Sequence, residues 1–377
     1  MVGEHFERSG ETPLGNLIAL ASPLTNKLFL IIGDYPNSIP GVKIIKIKTT
    51  RRRLVVARVF QQVLTHLRVL LIMAKLRKEI DILIYIFGTP FPIPLVFAQA
   101  LNTRCFIILA RQGYGTDAEA LKESGAPRQF GELTRLRVQA ALERISYSFA
   151  DKLVVYSPSM IDRMNLQKYS KKIVVAHRHF VNFDECKFKD NIEQRDNIIG
   201  YVGRITADKG IWNFVGAIPK ILSVHDDVTF LIAGEGLLED EIRVYLEKHG
   251  LRNKVKLAGW IPHQKLPDYL TSLKLLVLPS YNEGLPNVML EAMACGTPVL
   301  AVRVASIPDV IKDKETGFLI QDNSPAHLAN AIVETLTNPE LKRIAANAHT
   351  LAESEFRYEN LTQTWKDIIC SAKKGDV

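Results

Sequence analysis

The sequence has few cysteines, and none of them lies near another. They are Cys105, Cys186, Cys295 and Cys370, and no Cys-x-x-Cys pair occurs. This spacing indicates neither a disulfide framework nor a zinc knuckle, and it favours a reducing setting. The chain also lacks the charged and then apolar opening of a signal peptide, because residues 1–15 are polar and acidic. We therefore expect a cytoplasmic protein.

Long apolar runs are also scarce. The stretch from Ile82 to Leu101 carries no charge, and its length alone would allow it to span a bilayer. Gly88 and the prolines at positions 90, 92 and 94 interrupt it. Because proline and glycine break a continuous helix, this stretch is predicted to be a strand, a turn and a helix of a soluble domain.

The net charge of +8 is unevenly distributed along the chain. Residues 1–190 carry +12 and residues 191–377 carry −4, so the front half favours an anionic partner. The basic excess is greatest over residues 43–78, where Arg51–Arg53 precede one long basic helix. This segment suits either an anionic membrane surface or a solvated face. No nucleic acid is expected, because aromatic-rich and helix-turn-helix signatures are missing.

Strand-like and helical stretches alternate along the 377 residues, which are too many for one hydrophobic core. The alternation is typical of an α/β protein with two Rossmann-like, doubly wound domains that face a cleft. A polar segment at 185–197 is typical of a linker. We therefore expect domains over residues 1–190 and 191–355, with residues 356–377 forming a helix that crosses back to the first domain.

Apolar runs predict the strands of both domains. In the first domain they are Leu28–Ile32, Val42–Ile47, Ile82–Phe87, Cys105–Leu109, Leu153–Tyr156 and Ile173–Ala176. In the second they are Ile198–Val202, Val228–Ala233, Val255–Ala258, Leu275–Leu278, Val299–Val302 and Phe318–Ile320. Residues 1–27 contain no such run, so the first domain is predicted to lack its first strand. Ser9–Gly15 is predicted to be a loop before a helix that begins at about Asn16. That strand is central in a doubly wound sheet, so its absence predicts a start downstream of the true one or a defective sheet.

Residues 282–300 are predicted to form a loop, a helix of about ten residues and the start of a strand. Pro286 suits a first helical position and Gly296 the left-handed residue after the helix. The helix is apolar except for Glu291, whose carboxylate needs a buried Arg or Lys, or a ligand, as its partner. Glu283 lies in the loop after an apolar strand. Both carboxylates can therefore approach the edge at which parallel sheets bind ligands.

A second cluster of polar and glycine residues follows the strand Ile198–Val202. The stretch Gly203–Gly210 contains Arg204 and Lys209 and leads into a helix. Two cations beside a helix N-terminus favour a phosphate or diphosphate. Gly234–Gly236 ends the next strand at the same edge, where glycine lets a ligand approach the backbone. Neither the Walker A order nor G-x-G-x-x-G is present.

Together these residues resemble the GT-B glycosyltransferases of family 4, retaining enzymes that use nucleotide-sugars. The resemblance covers residues 198–377 through G-R-x-x-x-x-K-G at Gly203, A-G-E-G at Ala233 and E-x7-E at Glu283. Gly296-Thr-Pro-Val and Thr316-Gly-Phe-Leu complete it. It implies that Arg204, Lys209 and Glu283 act in catalysis. The donor-binding residues that it implies are Gly203, Gly234, Gly236, Gly284, Leu285, Pro286 and Glu291.

The resemblance also implies roles for these groups. Arg204 and Lys209 would hold the diphosphate of a UDP-, GDP- or ADP-sugar, Glu283 the sugar, and Glu291 the ribose hydroxyls. The nucleoside diphosphate would depart from the same face of the sugar that the acceptor attacks, with the diphosphate helping to deprotonate the acceptor. No metal is expected, because no Asp-x-Asp motif occurs. The expected acceptor is a glycan or lipid-linked precursor of a cell-envelope polysaccharide, used by a hexosyltransferase in the cytoplasm or peripherally on the inner face of the membrane.

The chain also departs from the family's pattern. The predicted acceptor-side residues are Gly10, Arg111 and Gln112. The family often has a His before a Gly where this chain has Arg111-Gln112-Gly113, and Gln112 cannot act as a general base. Ala305-Ser306 stands where Gly-Gly is usual, which predicts an altered turn. These departures keep open an alternative, a catalytically weak or silent GT-B protein that binds a nucleotide or a partner. His177 and His179 lack a Cys or carboxylate at ligand spacing, so no metal site is expected there.

Overall fold

The computed structural model describes residues 2–3, 11–32, 39–47, 55–86, 92–109, 132–188 and 192–371. The chain divides into two compact units, Met1–His179 with Leu361–Val377, and Phe180–Asn360. The division falls before the predicted boundary at residue 190, because residues 180–188 pack on the second unit. The Val181 amide donates a hydrogen bond to the Phe356 carbonyl (2.9 Å), and the Phe188 ring covers Gly296.

A seven-stranded parallel sheet forms the first unit. Its strands are β1 (Val2–Gly3), β2 (Leu28–Ile32), β3 (Val42–Lys46), β4 (Ile82–Ile86), β5 (Arg104–Leu109), β6 (Lys152–Val155) and β7 (Ile173–Val175). They lie in the order β3-β2-β1-β4-β5-β6-β7. Strands β2 to β7 confirm the runs predicted from the sequence.

The prediction that the first domain lacks its first strand is wrong. Strand β1 has only two residues, yet it lies at the centre of the sheet. Val2 is in register with Ile31 on one side and with Tyr85 on the other. A two-residue strand cannot show the alternation by which strands are recognised in a sequence, which is why it was missed.

The described helices of the first unit are α1 (Glu11–Ala21), α2 (Val55–Leu76), α3 (Pro92–Ala100), α4 (Glu132–Phe149) and α5 (Ser159–Arg163). Helix α1 begins before the predicted Asn16, so the second part of the predicted loop Ser9–Gly15 is helical. Helix α2 lies where the long basic helix is predicted, and Arg51–Arg53 fall outside the described residues. No helix among the described ranges has the length and apolar character needed to cross a membrane.

A six-stranded parallel sheet forms the second unit. Its strands are β8 (Ile198–Val202), β9 (Thr229–Ala233), β10 (Val255–Gly259), β11 (Leu275–Leu278), β12 (Val299–Val302) and β13 (Phe318–Ile320), in the order β10-β9-β8-β11-β12-β13. The helices are α6 (Ile211–Leu222), α7 (Glu239–Lys248), α8 (Leu266–Ser272), α9 (Asn287–Ala294), α10 (Ile307–Val310), α11 (Pro325–Leu336) and α12 (Leu341–Phe356). All six strands confirm the sequence prediction.

Alternate residues of each strand in the second unit face opposite sides of the sheet. In β11, Leu275 and Val277 join an apolar cluster with Phe214 and Phe230, whereas Leu276 joins another with helix α9. Both faces are therefore covered, as is usual for parallel sheets. The polar loops remain at the strand ends.

Helix α13 (Tyr358–Cys370) follows α12, and the chain belongs to the first unit from Leu361 onward. The indole nitrogen of Trp365, which is fully buried, donates a hydrogen bond to the carbonyl of His177 (2.9 Å). Helix α13 is thus joined by this bond to His177, which lies near the end of the first segment of the first unit.

Candidate functional site

The loop after β8 carries the first predicted cation. The Gly203 amide donates a hydrogen bond to the Ala233 carbonyl (3.0 Å), and the Tyr201 hydroxyl donates one to the Arg204 carbonyl (2.6 Å). These bonds fix the backbone, whereas the Arg204 guanidinium only forms a 3.2 Å ion pair with Asp208. Because both side chains are about half exposed (54% and 48%), this pair contributes little and leaves Arg204 available to an anion.

Lys209 and Glu283 form a tighter pair at the same edge of the sheet. The Lys209 Nζ lies 2.8 Å from Glu283 Oε1, with only 17% and 12% of the two side chains exposed. The Ser280 hydroxyl donates to the same oxygen (2.7 Å), and Lys209 also donates to the Asn282 carbonyl (3.3 Å). The pair joins the loop after β8 to the loop after β11. It places a cation and a carboxylate side by side.

The glycines after β9 are required by backbone packing. A Cβ on Gly234, whose φ is +132°, would lie 1.9 Å from the Gly203 carbonyl oxygen, and one on Gly236 would lie 2.3 Å from the Ile205 carbonyl oxygen. These contacts alone exclude a side chain, so the glycines need no ligand to explain them. Gly284 differs, because a Cβ there would have no atom within 4 Å and would face open space.

Helix α9 begins at this edge without a side-chain cap. It is shorter than predicted, with eight residues, and Pro286 precedes it in an extended conformation instead of occupying its first turn. The Asn287 Oδ1 is buried and, among the residues that the structure describes, has no hydrogen-bond partner. Leu285 and Pro286 are buried beside it. An uncapped helix N-terminus carries a partial positive charge that suits an anion.

Glu291 has a side-chain partner that the sequence did not predict. Its Oε1 lies 2.8 Å from His263 Nε2, with 13% of the Glu291 side chain and 58% of the His263 side chain exposed. The hydrogen bond to Glu291 raises the pKa of His263; burial opposes this, and the charges of Glu291 and Glu185 add to the increase. The expected partner was an Arg, a Lys or a ligand. The sequence did contain one indication of this partner, because His263 follows shortly after β10, at the sheet edge where ligands bind.

Ala305 and Ser306, which stand where the family usually has Gly-Gly, lie in a turn beside the site. Ala305 has φ +49°, in the left-handed region that favours glycine. The next amide, that of Ser306, donates a hydrogen bond to the Gly284 carbonyl (3.3 Å). The backbone thus keeps a glycine-like conformation without a glycine, and it supports the loop that carries Glu283.

The predicted acceptor-side residues Gly10, Arg111 and Gln112 lie outside the described residues. In the first unit His179 is buried, with its ring 6.0 Å from the Tyr156 ring. Across the described ranges no three His, Cys, Asp or Glu side chains are grouped so that they could hold a metal ion.

Two doubly wound parallel units, one with cations and carboxylates at its strand ends, have the architecture of GT-B glycosyltransferases. Residues 182–350 match the family model of glycosyl transferases group 1. The match lies within the second unit, so the similarity to that family is a property of residues 182–350.

Curated relatives match a similar part of the chain. The chain is 32% identical to alpha-D-kanosaminyltransferase of Streptomyces kanamyceticus over 42% of each chain. It is 29% identical to glycogen synthase of Mycobacterium tuberculosis over 47% of this chain and 43% of the relative. The chain thus spans less than half the length of these relatives.

Two solved structures match this chain over nearly all of its length. The Anabaena Alr3699/HepE structure with UDP and glucose has a TM-score of 0.71 at 17% identity, covering 98% of this chain and 99% of that one. A glycosyltransferase from Rickettsia africae has a TM-score of 0.71 at 16% identity, covering 100% and 98%. At such identities the likeness shows the GT-B fold of two Rossmann-like domains.

Proposed function

We propose that this chain is a retaining glycosyltransferase that moves a sugar from a UDP-, GDP- or ADP-sugar to a lipid-linked or polysaccharide acceptor. The observation that carries the proposal is the Lys209–Glu283 pair at the strand ends, with Arg204 and the uncapped start of α9 on the neighbouring loops. The relatives' names and the UDP bound to a structure of the same fold support a nucleotide-sugar donor.

The chemistry follows from the charges. The bond between the sugar C1 and the diphosphate breaks as the acceptor oxygen bonds to C1, and the acceptor proton passes to the leaving diphosphate. Negative charge therefore develops on the diphosphate in the transition state. Arg204, Lys209 and the first amides of α9 supply positive charge there, fixed before the reaction starts.

The carboxylates take separate roles in this proposal. Glu283, held by Lys209 and Ser280, accepts hydrogen bonds from the sugar. Glu291, on the other end of the motif, accepts them from the ribose. The amides of Gly284 and Leu285 also bind the sugar, and Gly284 leaves open space beside it.

Nucleotide binding and turnover test the proposal in two steps. UDP, GDP or ADP should raise the melting temperature, and Arg204→Ala or Glu291→Ala should remove the shift; if none of the three nucleotides shifts the wild type, the donor site is refuted. Turnover is then assayed by nucleotide release with polar-lipid extract, and NMR of the product should show a retained anomeric configuration. Binding without transfer would favour the alternative of a catalytically silent GT-B protein. One of the two reasons for that alternative was the missing first strand, and strand β1 removes it.

We propose that the protein is cytoplasmic and contacts the inner membrane surface through the exposed face of α2. Leu67 and Leu71 are 49% and 64% exposed, and Arg68, Lys75 and Lys78 are exposed around them. Apolar side chains with flanking cations suit an anionic bilayer.

Sedimentation with anionic liposomes tests this contact. Lys75→Ala/Lys78→Ala should weaken binding at low salt, whereas the matched pair Lys220→Ala/Lys248→Ala on the second unit should not. Equal recovery in the supernatant with and without anionic liposomes would refute it.

A further inference from the structure

His263 connects the Glu291 carboxylate to a second loop. It lies in the turn His263–Lys265 after β10, and its Nε2 contacts Glu291 Oε1 on helix α9 at 2.8 Å. His263 and Glu291 both line a small cavity of about 20 Å³, room for one water molecule, which Glu185 and Cys186 also line. Glu185 is held in turn by the Asn182 side-chain amide (2.9 Å). The imidazole thus borders a cavity that two carboxylates from different segments, Glu185 and Glu291, also line.

The chemistry of the contact fixes the histidine tautomer. An ionised carboxylate can only accept hydrogen bonds, so His263 Nε2 carries the proton that it donates to Oε1. Within the described part of the chain, Glu291 Oε2 makes no hydrogen bond or ion pair. One carboxylate oxygen is therefore held, and the other has its acceptor sites open.

We propose that His263 is a positioning residue for the donor: it holds Glu291 so that Oε2 accepts a hydrogen bond from a ribose hydroxyl. This inference rests on the proposed function and adds a residue to it. Glu291 is 87% buried in an apolar helix, and without a donor at Oε1 its carboxylate would lose that fixed orientation. His263 acts through Glu291 and needs no contact with the reacting sugar.

Nucleotides that lack one ribose hydroxyl distinguish a positioning role of His263 from general damage to the fold. Full-length wild type, His263→Ala and His263→Gln are titrated with the diphosphate that binds among UDP, GDP and ADP, and with its 2′-deoxy and 3′-deoxy analogues. In the wild type, removal of the hydroxyl that meets Glu291 should weaken binding about ten-fold, as expected for a hydrogen bond to a charged group. In His263→Ala the ribo- and deoxynucleotides should bind with nearly equal affinity.

Glutamine provides the rescue. Its amide nitrogen can occupy the position of imidazole Nε2 and donate to Glu291, so His263→Gln should keep most of the preference for ribose. A preference that is undiminished in His263→Ala would overturn the inference. So would its loss in His263→Gln while that variant melts like the wild type. If the wild type binds none of the three nucleotides, the proposed function itself fails, which is a different result.

Discussion

The ammonium of Lys209 lies 2.8 Å from Glu283 Oε1, and the two side chains come from loops that follow different strands. In the proposed mechanism the cation meets the diphosphate and the carboxylate meets the sugar. Lys209→Met keeps much of the side-chain volume and removes the charge, so we expect the affinity for the nucleoside diphosphate to fall at least about ten-fold. Isothermal titration measures it. Lys220→Met, at an exposed site on α6, is the matched control and should bind like the wild type.

Glu283→Gln should separate binding from transfer. Because Glu283 is assigned to the sugar, its variant should bind the free nucleoside diphosphate within about two-fold of the wild type and lose most of its turnover. Turnover is followed by nucleotide release under saturating donor. A variant with full turnover would place the sugar away from Glu283.

Gly234 and Gly284 should respond differently to alanine. Gly234→Ala combines a φ of +132° with a Cβ 1.9 Å from the Gly203 carbonyl oxygen, so it should cost at least about 2 kcal/mol of unfolding free energy. Gly284→Ala faces open space and should change stability by less than about 0.5 kcal/mol. Its new methyl group would occupy the proposed donor position, so nucleotide-sugar binding should weaken. Urea unfolding and titration distinguish these effects, and equal stability losses in both variants would contradict the prediction.

The sequence predicted the strands well because burial on both faces produces continuous apolar runs such as Leu275–Leu278. It failed at β1, where Val2 and Gly3 are placed by their neighbours Ile31 and Tyr85 and not by any local pattern. Local sequence carries no information about such long-range pairing.

The candidate site shows the same limit. Glycines and charges at strand ends were found from their positions, since parallel strands bring their carboxyl ends to one edge. The contact between His263 and Glu291 links residues 28 apart, and it depends on how the loop after β10 packs on α9. The glycines after β9 also have a packing reason that the sequence did not show, because the Gly203 and Ile205 carbonyl oxygens exclude a side chain there.

Ala305→Gly should stabilise the protein. Ala305 has φ +49°, a conformation that costs an L-residue about 1–2 kcal/mol and costs glycine little. Glycine also has a more flexible unfolded state, so the net gain should be about 0.5–1 kcal/mol. Urea unfolding measures it, with Ala331→Gly inside helix α11 as a control that should lose stability. A loss at position 305 would show that the alanine side chain makes a favourable contact that outweighs its backbone strain.

The ion pair between His263 and Glu291 should make stability depend on pH. The pKa of His263 is raised above its ordinary 6.5, chiefly by the hydrogen bond to Glu291, so the folded state holds the proton more tightly than the unfolded state. The resulting stabilisation is fully present below pH 6.5 and is lost as pH rises through the higher pKa of the folded state. His263→Gln removes the titrating group and keeps a hydrogen-bond donor. The melting temperature of the wild type should therefore exceed that of His263→Gln most at about pH 5.5 and least at about pH 8.5.

Two further variants test whether this dependence belongs to the pair. Glu291→Gln should abolish it as well, because the neutral amide no longer favours the imidazolium. His225→Gln changes a histidine whose ring, within the described residues, has no ion pair or hydrogen bond, and its difference from the wild type should not follow the same course with pH. A difference between wild type and His263→Gln that stays constant from about pH 5.5 to about pH 8.5 would mean that the contact leaves the pKa of His263 the same in the folded and unfolded states. In that case Glu291 would hold the neutral and the charged imidazole equally well.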